Sequence, residues 1–250
     1  MLAANPKGVG IRRRSSESTY VQAAPRREPL PSAIVRFQVM ITPVSNTQPT
    51  VFVVDDDEAV RSSLRMLLKS VGRTVVDYPS ASAYLAAYQF ERPGCLVLDI
   101  RMPGMSGLEL QDQLNARGAI VPVIFISGHA DVPMAVEAVQ HGAFDFLQKP
   151  FRDQDLIDRV QAAVARDADN RRQLRELQRL RQRLESLTAR EREVLDLVTH
   201  GKANKVMAAD LGVSQRTVEI HRARVMEKME AHSLAQLVRM MIELEERGHP

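Results

Sequence analysis

The sequence predicts an α/β fold with a doubly wound, five-stranded parallel sheet, followed by a linker helix and a small all-α helix-turn-helix domain. Between residue 50 and about residue 165, short apolar runs that favour strands alternate with amphipathic helical patterns, and five such runs occur. From about residue 187 onwards the periodicity is helical, without a strand pattern. We therefore expect a sheet domain first and a helical domain second within the 250 residues.

The composition is that of a globular protein, with 44% hydrophobic and 26% charged residues. A formal net charge of +3 is too small to indicate a nucleic-acid partner, so any basic surface has to be found locally. The single cysteine, Cys95, excludes an intrachain disulfide and a cysteine-based metal cluster, which fits a reducing cytoplasm. No apolar run approaches the roughly 20 residues of a membrane span. We expect a cytoplasmic protein that does not bind membranes.

Residues 1–49 are predicted to form a disordered tail, because they contain repeated prolines and no sustained apolar period. The sheet domain then spans residues 50–166. Its strands are predicted at 51–54, 74–77, 95–98, 123–126 and 144–147. Apolar residues at helical spacing lie between them, namely Val60, Leu64, Met66, Leu67 and Leu68 in one predicted helix and Leu108, Leu110 and Leu114 in another.

Residues 153–186 are predicted to be helical, and we assign 167–186 to the linker and 187–250 to the helical domain. Leucines recur at intervals of three and four along this helix, at positions 174, 177, 180, 184 and 187. Such a stripe can pack against a neighbouring domain of the same chain, or it can form a short coiled coil in a dimer. The repeat is too short to choose between these two interpretations.

Acidic residues follow two of the predicted strands. Asp55 and Asp56 come directly after "VFVV", and Asp99 ends "CLVLD". The carboxyl ends of parallel strands meet at one edge of the sheet, so these three carboxylates should share one pocket. Their mutual repulsion is severe unless a hard cation lies among them. Since Mg²⁺ takes carboxylate oxygens together with water and phosphate oxygens, the pattern predicts a magnesium site.

A hydroxyl and an ammonium follow the last two predicted strands. Ser127 ends "VPVIFIS", and Lys149 follows "FDFLQ". A serine hydroxyl can donate to a phosphoryl oxygen, and a lysine provides a compact positive charge for it. Each residue alone is more often an ordinary turn residue. The ordered set of acid pair, acid, hydroxyl and ammonium at successive strand ends is a strong signal for one site that can hold Mg²⁺ and a phosphoryl group.

The helical domain contains a predicted helix-turn-helix. Residues 203–211 form the first helix, Gly212 permits the turn, and Ser214 caps a second helix. On the second helix Val218, Val225 and Met229 share one face. The other face carries Arg216, Glu219, Ile220 and Ala223, and basic residues surround it, so that it is suited to DNA. The alternative is a solvated helix hairpin without a nucleic-acid partner.

Residues 50–170 resemble the receiver domain of two-component response regulators, in "VFVVDDDE", "CLVLDIRMPGMSG" and "FLQKPF". The resemblance implies that Asp99 accepts a phosphoryl group from a phosphohistidine on a sensor histidine kinase. It assigns Mg²⁺ to Asp55, Asp56, Asp99 and the backbone carbonyl of Arg101, with Asp56 and Asp99 as the direct side-chain ligands. Lys149 and Ser127 would act on the phosphoryl oxygens, and Lys149-Pro150 matches the position of a cis peptide bond in the family.

The same resemblance implies a switch in which Ser127 moves inward and Phe146 rotates. The alternative for Phe146 is an ordinary core phenylalanine. The helix at about 132–141 and the strand after it would form the output face, on which phosphorylation favours a dimer. Arg101 and His129 are two residues past Asp99 and Ser127, and they are predicted to flank the phosphoryl group and to set its lifetime.

The segment "LTAREREVLDLVTHGKANKVMAADLGVSQRTVEIHRARVMEKM" resembles the LuxR-type DNA-binding domain, and residues 50–245 together resemble the FixJ class of response regulators. Base-reading positions then fall on Glu219, Ile220 and Ala223. Ile220 and Ala223 carry no hydrogen-bonding group, so contacts with thymine methyl groups are expected there. The full set of predicted DNA contacts is Lys205, Gln215, Arg216, Glu219, Ile220, Arg222 and Ala223.

The sequence thus predicts a cytoplasmic transcription regulator that is controlled by phosphorylation of Asp99. The expected partners are a sensor histidine kinase, double-stranded promoter DNA, RNA polymerase and, after phosphorylation, a second copy of the chain. It is not expected to be an enzyme beyond phosphorylating and dephosphorylating itself. An aspartyl-phosphate hydrolase would need an acid at position 101, where the chain has Arg101. A protein-binding adaptor would need no basic helix face.

Overall fold

The computed structural model describes residues 48–128 and 132–246, without the side chains of residues 132–135. The predicted tail, apart from Gln48 and Pro49, lies outside these residues, and so does His129. The described residues form an α/β domain followed by a helical domain, which confirms the predicted fold class.

Five parallel strands form one sheet in the order β2-β1-β3-β4-β5. They are β1 (Thr50–Val54), β2 (Thr74–Tyr78), β3 (Gly94–Asp99), β4 (Val123–Ser127) and β5 (Asp145–Gln148). Each lies within a residue or two of its predicted position. The helices of this domain are α1 (Glu58–Ser70), α2 (Ala81–Ala87), α3 (Gly107–Ala116), α4 (Val132–Gln140) and the first part of α5 (Asp153–Glu185).

Both faces of the sheet are covered, and therefore β1 and β3 are buried over their whole length. Leu64 and Leu68 of α1 pack on one face together with Leu156 of α5. The other face is covered by α2, α3 and α4, which contribute Tyr84, Leu110, Leu114 and Ala138. The order of the strands reverses between β1 and β3, and in such sheets ligands bind beyond the carboxyl ends at this point.

The helix α5 is 33 residues long in all, and it extends well past the sheet domain. Leu177 and Leu180 are buried with Leu244 of the last helix, α9 (Leu234–Glu246), while Leu187 belongs to the core of the helical domain. The leucine stripe therefore packs within the chain, as the first of its two interpretations predicted.

The helical domain consists of α6 (Ala189–Thr199), α7 (Asn204–Leu211), α8 (Gln215–Lys228) and α9 (Leu234–Glu246). Its core contains Val194, Met207, Val218, Val225 and Leu237. Within the described part of the chain, every helix is too short or too polar to cross a membrane.

Candidate functional site

The acidic residues after β1 are held by an arginine of α1. Asp55 is 1% exposed, and its Oδ1 accepts a hydrogen bond from the backbone N–H of Asp57 at 2.9 Å. Nη1 of Arg61 donates to the backbone carbonyls of Asp55 and Asp56, at 2.7 and 3.0 Å. Sequence reasoning missed Arg61. The spacing could have identified it. Arg61 lies three residues before Leu64 and seven before Leu68, and such spacings place it on the buried face of α1.

Lys149 joins the acids of two strands. Its Nζ donates to Oδ2 of Asp55 at 2.8 Å and to Oδ1 of Asp99 at 2.9 Å. The other oxygen of Asp99, Oδ2, accepts from the backbone N–H of Arg101 at 2.8 Å. The Lys149-Pro150 peptide bond is cis. Residues that are far apart in sequence thus meet at the carboxyl edge of the sheet.

Burial and hydrogen bonding have opposite effects on the pKa values of Asp99 and Lys149. Burial raises the pKa of Asp99, whereas the hydrogen bond and the charge of Lys149 lower it. Burial lowers the pKa of Lys149, but its hydrogen bonds with Asp55 and Asp99 outweigh this, and the pKa stays above its ordinary value. The ammonium is therefore retained at neutral pH, where it neutralises carboxylates that water reaches poorly.

Ser127 lies at the end of β4 and is 1% exposed. Its backbone carbonyl accepts from the N–H of Lys149 at 2.8 Å, so it lies beside the lysine. We call Asp55, Asp99, Ser127 and Lys149 the strand-end pocket. Phe146 pairs with Phe125 across β4 and β5, and it is half-buried against the α2–α4 side of the sheet. This position fits either a switch aromatic or a core phenylalanine.

The structure brings together two of the three predicted carboxylates. Asp55 and Asp99 share the ammonium of Lys149, whereas Asp56 is exposed beyond the strand. Among the described residues, no group of three or more His, Cys, Asp or Glu side chains is placed to hold a metal ion. Two carboxylates and a backbone carbonyl still suit Mg²⁺, which binds through one or two carboxylates and keeps several waters.

A glycine lets α3 begin directly beside Asp99. The N–H of Gly107 donates to the carbonyl of Ile100 at 2.9 Å. A Cβ at this position would overlap the backbone carbonyl of Asp99 and lie 3.1 Å from the ring of Phe125. The stretch "RMPGMSG" that carries the resemblance ends on this glycine, but its contact with Asp99 was not predicted, because close approach between separate elements leaves no local pattern.

The predicted helix-turn-helix is present with the expected turn. Gly212 ends α7 with a φ of 64°, which is left-handed and favours glycine. Ser214 caps α8, and its Oγ accepts from the N–H of Thr217 at 3.1 Å. Nη2 of Arg190 donates to the carbonyl of Leu211 at 2.6 Å, so α6 also holds the end of α7.

The two faces of α8 differ as predicted. Val218, Val225 and Met229 are buried in the core of the helical domain. The opposite face exposes its side chains to solvent, namely Arg216, Glu219, Ile220 and Ala223. Ile220 is 43% exposed, although it is apolar.

The remaining residues that are predicted to contact DNA differ in their exposure to solvent. Lys205 and Gln215 are exposed at the starts of α7 and α8. Arg222 is half-buried and donates to Oδ1 of Asn204, which holds its guanidinium against α7. The contacts of all these side chains with DNA stay predictions.

Comparisons with known proteins agree with this organisation. Residues 51–161 match the family described as response regulator receiver domain, and residues 185–241 match the bacterial regulatory proteins of the luxR family. The transcriptional regulatory protein FixJ of Azorhizobium caulinodans is 52% identical over 192 residues, which cover 77% of this chain and 91% of that protein. Nodulation protein W of Bradyrhizobium diazoefficiens is 47% identical, over 78% of this chain and 86% of that protein.

The response regulator StyR has a similar structure, with a TM-score of 0.71 and 45% identity, covering 79% of this chain and all of that chain (100%). A receiver domain with buried strand-end acids therefore precedes a LuxR-type domain in a chain that FixJ proteins match over most of their length. The chain belongs to the FixJ class of response regulators, which are transcriptional regulators and not classical enzymes.

Proposed function

We propose that Asp99 is the phosphoacceptor and that a sensor histidine kinase donates the phosphoryl group. The observation that carries this proposal is the ammonium of Lys149 between the carboxylates of Asp55 and Asp99, next to the buried Ser127. An oxygen of Asp99 forms a bond with phosphorus as the bond between phosphorus and the histidine nitrogen breaks. The N–H of Arg101 and the Nζ of Lys149 orient the carboxylate for this attack.

Asp55, Asp99 and the backbone carbonyl of Arg101 would hold Mg²⁺ in this pocket, and Asp56, exposed just beyond β1, is proposed as a further ligand. When bound, Mg²⁺ would neutralise the charge on the transferred phosphoryl oxygens. Arg61 supports these residues by holding the carbonyls of Asp55 and Asp56. The chain's own chemistry is then limited to phosphorylating and dephosphorylating itself.

Phosphorylation is proposed to act through Ser127 and Phe146. Ser127 is buried beside Lys149, and Phe146 lies on the neighbouring strand, so a shift of the serine would reach the phenylalanine through the β4–β5 pair. On α4, Val136 and Val139 are 49% and 60% exposed, which favours a second copy of the chain as the partner of this face. Leu234 and Ile242 of α9 are also exposed and suit the same homodimer.

The DNA partner is proposed to be a promoter with two half-sites, bound by α8. Arg216 and Lys205 would contact phosphates, with Gln215 and Arg222, while Glu219, Ile220 and Ala223 read bases. The exposure of one face of α8 above a buried core supports this role. Bound there, the protein would activate transcription through RNA polymerase in the cytoplasm, in keeping with a buried, unpaired Cys95.

The first experiment measures DNA affinity and oligomeric mass, with and without a small-molecule phosphodonor and Mg²⁺. We compare the wild type with Asp99→Asn and with Asp158→Asn, which removes an exposed aspartate of α5. The donor should tighten DNA binding and promote dimers in the wild type and in Asp158→Asn only. Equal phosphorylation of Asp99→Asn would remove Asp99 from this role.

A second experiment tests the DNA contacts through their salt dependence. Replacing Arg216 by alanine should weaken binding to all sequences and reduce the slope of log affinity against log salt by about 0.9. Glu219→Gln should instead change the preferred base. Arg239→Ala is the matched control, because Arg239 is exposed on α9, away from these positions. An unchanged slope for Arg216→Ala would contradict the proposed phosphate contact.

A further inference from the structure

The part of α5 that leaves the receiver is held against the sheet by a buried ion pair. Oδ2 of Asp167 accepts from the backbone N–H of Gly94 at 2.9 Å and from Nε of Arg171 at 2.7 Å. Arg171 also donates through Nη1 to the carbonyl of Phe90 at 2.8 Å, and through Nη2 to the carbonyl of Arg92 at 2.9 Å. We call Asp167 and Arg171, with these backbone partners, the helix joint.

The helix joint uses the arginine for its geometry as well as its charge. Three nitrogens of the planar guanidinium of Arg171 donate to three separate acceptors, which a lysine would have to reach from a single nitrogen. The side chains of Asp167 and Arg171 are only 2% and 14% exposed. Burial raises the pKa of Asp167, and the hydrogen bond and charge of Arg171 oppose that effect. Removal of Arg171 alone would therefore leave a buried carboxylate unpaired.

Beyond the helix joint, α5 is packed against the DNA-binding domain. Leu177 and Leu180 are buried with residues of α9, and Arg183 pairs with Glu230 just after α8. None of the residues 172–176 between the two parts is buried. The buried contacts of the helix with the receiver therefore end at Arg171, and those with the DNA-binding domain begin at Leu177. The interval between them corresponds to about 9 Å of helix.

We propose that Asp167 and Arg171 are positioning residues through which the receiver sets the position of the DNA-binding domain. The link to the strand-end pocket is β3. Its first residue, Gly94, donates to the helix joint, and its last residue is Asp99. A response at Asp99 is therefore connected to α5 through one buried strand. This inference rests on the proposed control of DNA binding by phosphorylation.

The test uses a double variant, Asp167→Asn with Arg171→Met. Both charges are removed together, so that no buried carboxylate is left without its partner. The matched control is Asp169→Asn with Arg172→Met, which removes an ion pair of the same types from the same helix. That control pair is exposed, at 53% and 65% of its side chains. A milder variant, Arg171→Lys, keeps the charge but loses the contacts with two carbonyls.

The first measurement is the distribution of distances between the two domains, by pulsed electron spin resonance. Spin labels are attached at Met66→Cys on α1 and Arg239→Cys on α9, both exposed positions. Cys95 is fully buried and stays unlabelled in the folded protein. The joint variant should broaden the distribution, Arg171→Lys should broaden it less, and the control pair should match the wild type. A joint variant as narrow as the wild type would overturn the proposal.

The second measurement is the change in DNA affinity that a phosphodonor and Mg²⁺ produce. The joint variant should be phosphorylated at the wild-type rate, because the strand-end pocket is intact. Its gain in affinity should be smaller by about threefold or more, a loss of coupling that a merely structural role would not produce. An unchanged gain would count against the helix joint. If the wild type itself gains no DNA affinity from the phosphodonor, the proposed control by phosphorylation fails. The distance measurement still tests whether the helix joint positions the DNA-binding domain.

Discussion

The strand-end pocket and the exposed face of α8 both carry charged side chains, but water reaches them very differently. The side chains of Asp55 and Asp99 are 2% and 11% exposed, whereas those of Arg216 and Glu219 on α8 are 82% and 49% exposed. Charges of the first kind have to be neutralised within the fold, and their loss costs stability. Charges of the second kind are solvated, and the Arg216 guanidinium among them remains available to DNA phosphates.

The largest effect is expected from Lys149→Met. Loss of the ammonium leaves two buried carboxylates facing each other, and the receiver should be destabilised by about 3–5 kcal/mol at neutral pH. Urea unfolding without added Mg²⁺ measures this, with exposed Lys69→Met as the control. A second substitution, Asp55→Asn, should restore part of the loss because it removes one of the two charges. A single variant as stable as the wild type would show that the carboxylates need no counter-charge.

Glu191 is a buried charge in the helical domain, at 2% exposure. Its Oε2 accepts from Nζ of Lys228 at 2.6 Å and from the backbone N–H of Thr188 at 2.8 Å. These hydrogen bonds, that of Lys228 above all, lower the pKa of Glu191 to about 2. Because the folded state lowers the pKa, the stabilisation is complete above the ordinary pKa of 4.5 and is lost as the pH falls towards 2.

The variant Glu191→Gln should therefore destabilise the helical domain by about 1.5–3 kcal/mol at neutral pH, the range for hydrogen bonds to charged groups. Thermal unfolding between pH 2 and pH 7 should show that the wild type approaches the variant at low pH. Exposed Glu193→Gln is the control. A constant difference across this range would exclude the ionisation of Glu191 as the cause.

A smaller effect is expected at the turn before α8. Gly212 has a φ of 64°, and a Cβ added there would lie in open space, so Gly212→Ala should cost about 1 kcal/mol through backbone strain alone. Asn tolerates this conformation better, so Gly212→Asn should lose less. Chemical denaturation measures the free energy of unfolding of both variants. Equal losses of stability in the two would indicate a lost contact and not backbone strain.

The smallest effect is expected for the exposed pair of Lys202 and Asp210, which are 2.6 Å apart. Both side chains are 41% exposed, and we expect Lys202→Met to change stability by only about 0.2–1 kcal/mol. The same lysine-to-methionine change as at Lys149 thus separates the effect of burial from that of charge. A loss here as large as that of Lys149→Met would contradict this difference.

Helical periodicity and strand ends were enough to predict most of the fold. Local patterns, however, could not predict how buried each single residue is. On α1, Leu64 and Leu68 are buried as predicted, whereas Met66 is 75% exposed because it lies on the opposite face. Arg61, which is charged, is 6% exposed on the buried face. Its carbonyl partners come from the loop after β1, so no periodic signal could have identified them.

The strand-end pocket was predicted from residues that follow strands, because parallel strands bring their carboxyl ends together. The helix joint was not predicted, and residues 167–186 were assigned as one linker. Its contacts join Arg171 to backbone carbonyls at Phe90 and Arg92, and backbone groups carry no sequence signal. The positions of strands are thus readable from the sequence, while contacts between side chains and distant backbone require the structure.

The helix α5 runs without a break from Asp153 to Glu185. The rotation about its axis between the two ends therefore sets how the DNA-binding domain is oriented relative to the receiver. Each residue inserted between Arg171 and Leu177 would turn everything after it by about 100° and advance it by about 1.5 Å. Seven inserted residues would nearly complete two turns, restoring the phase to within about 20° while adding about 10 Å. A series of alanine insertions therefore distinguishes a signal carried by orientation, which recovers at seven, from one carried by proximity, which does not.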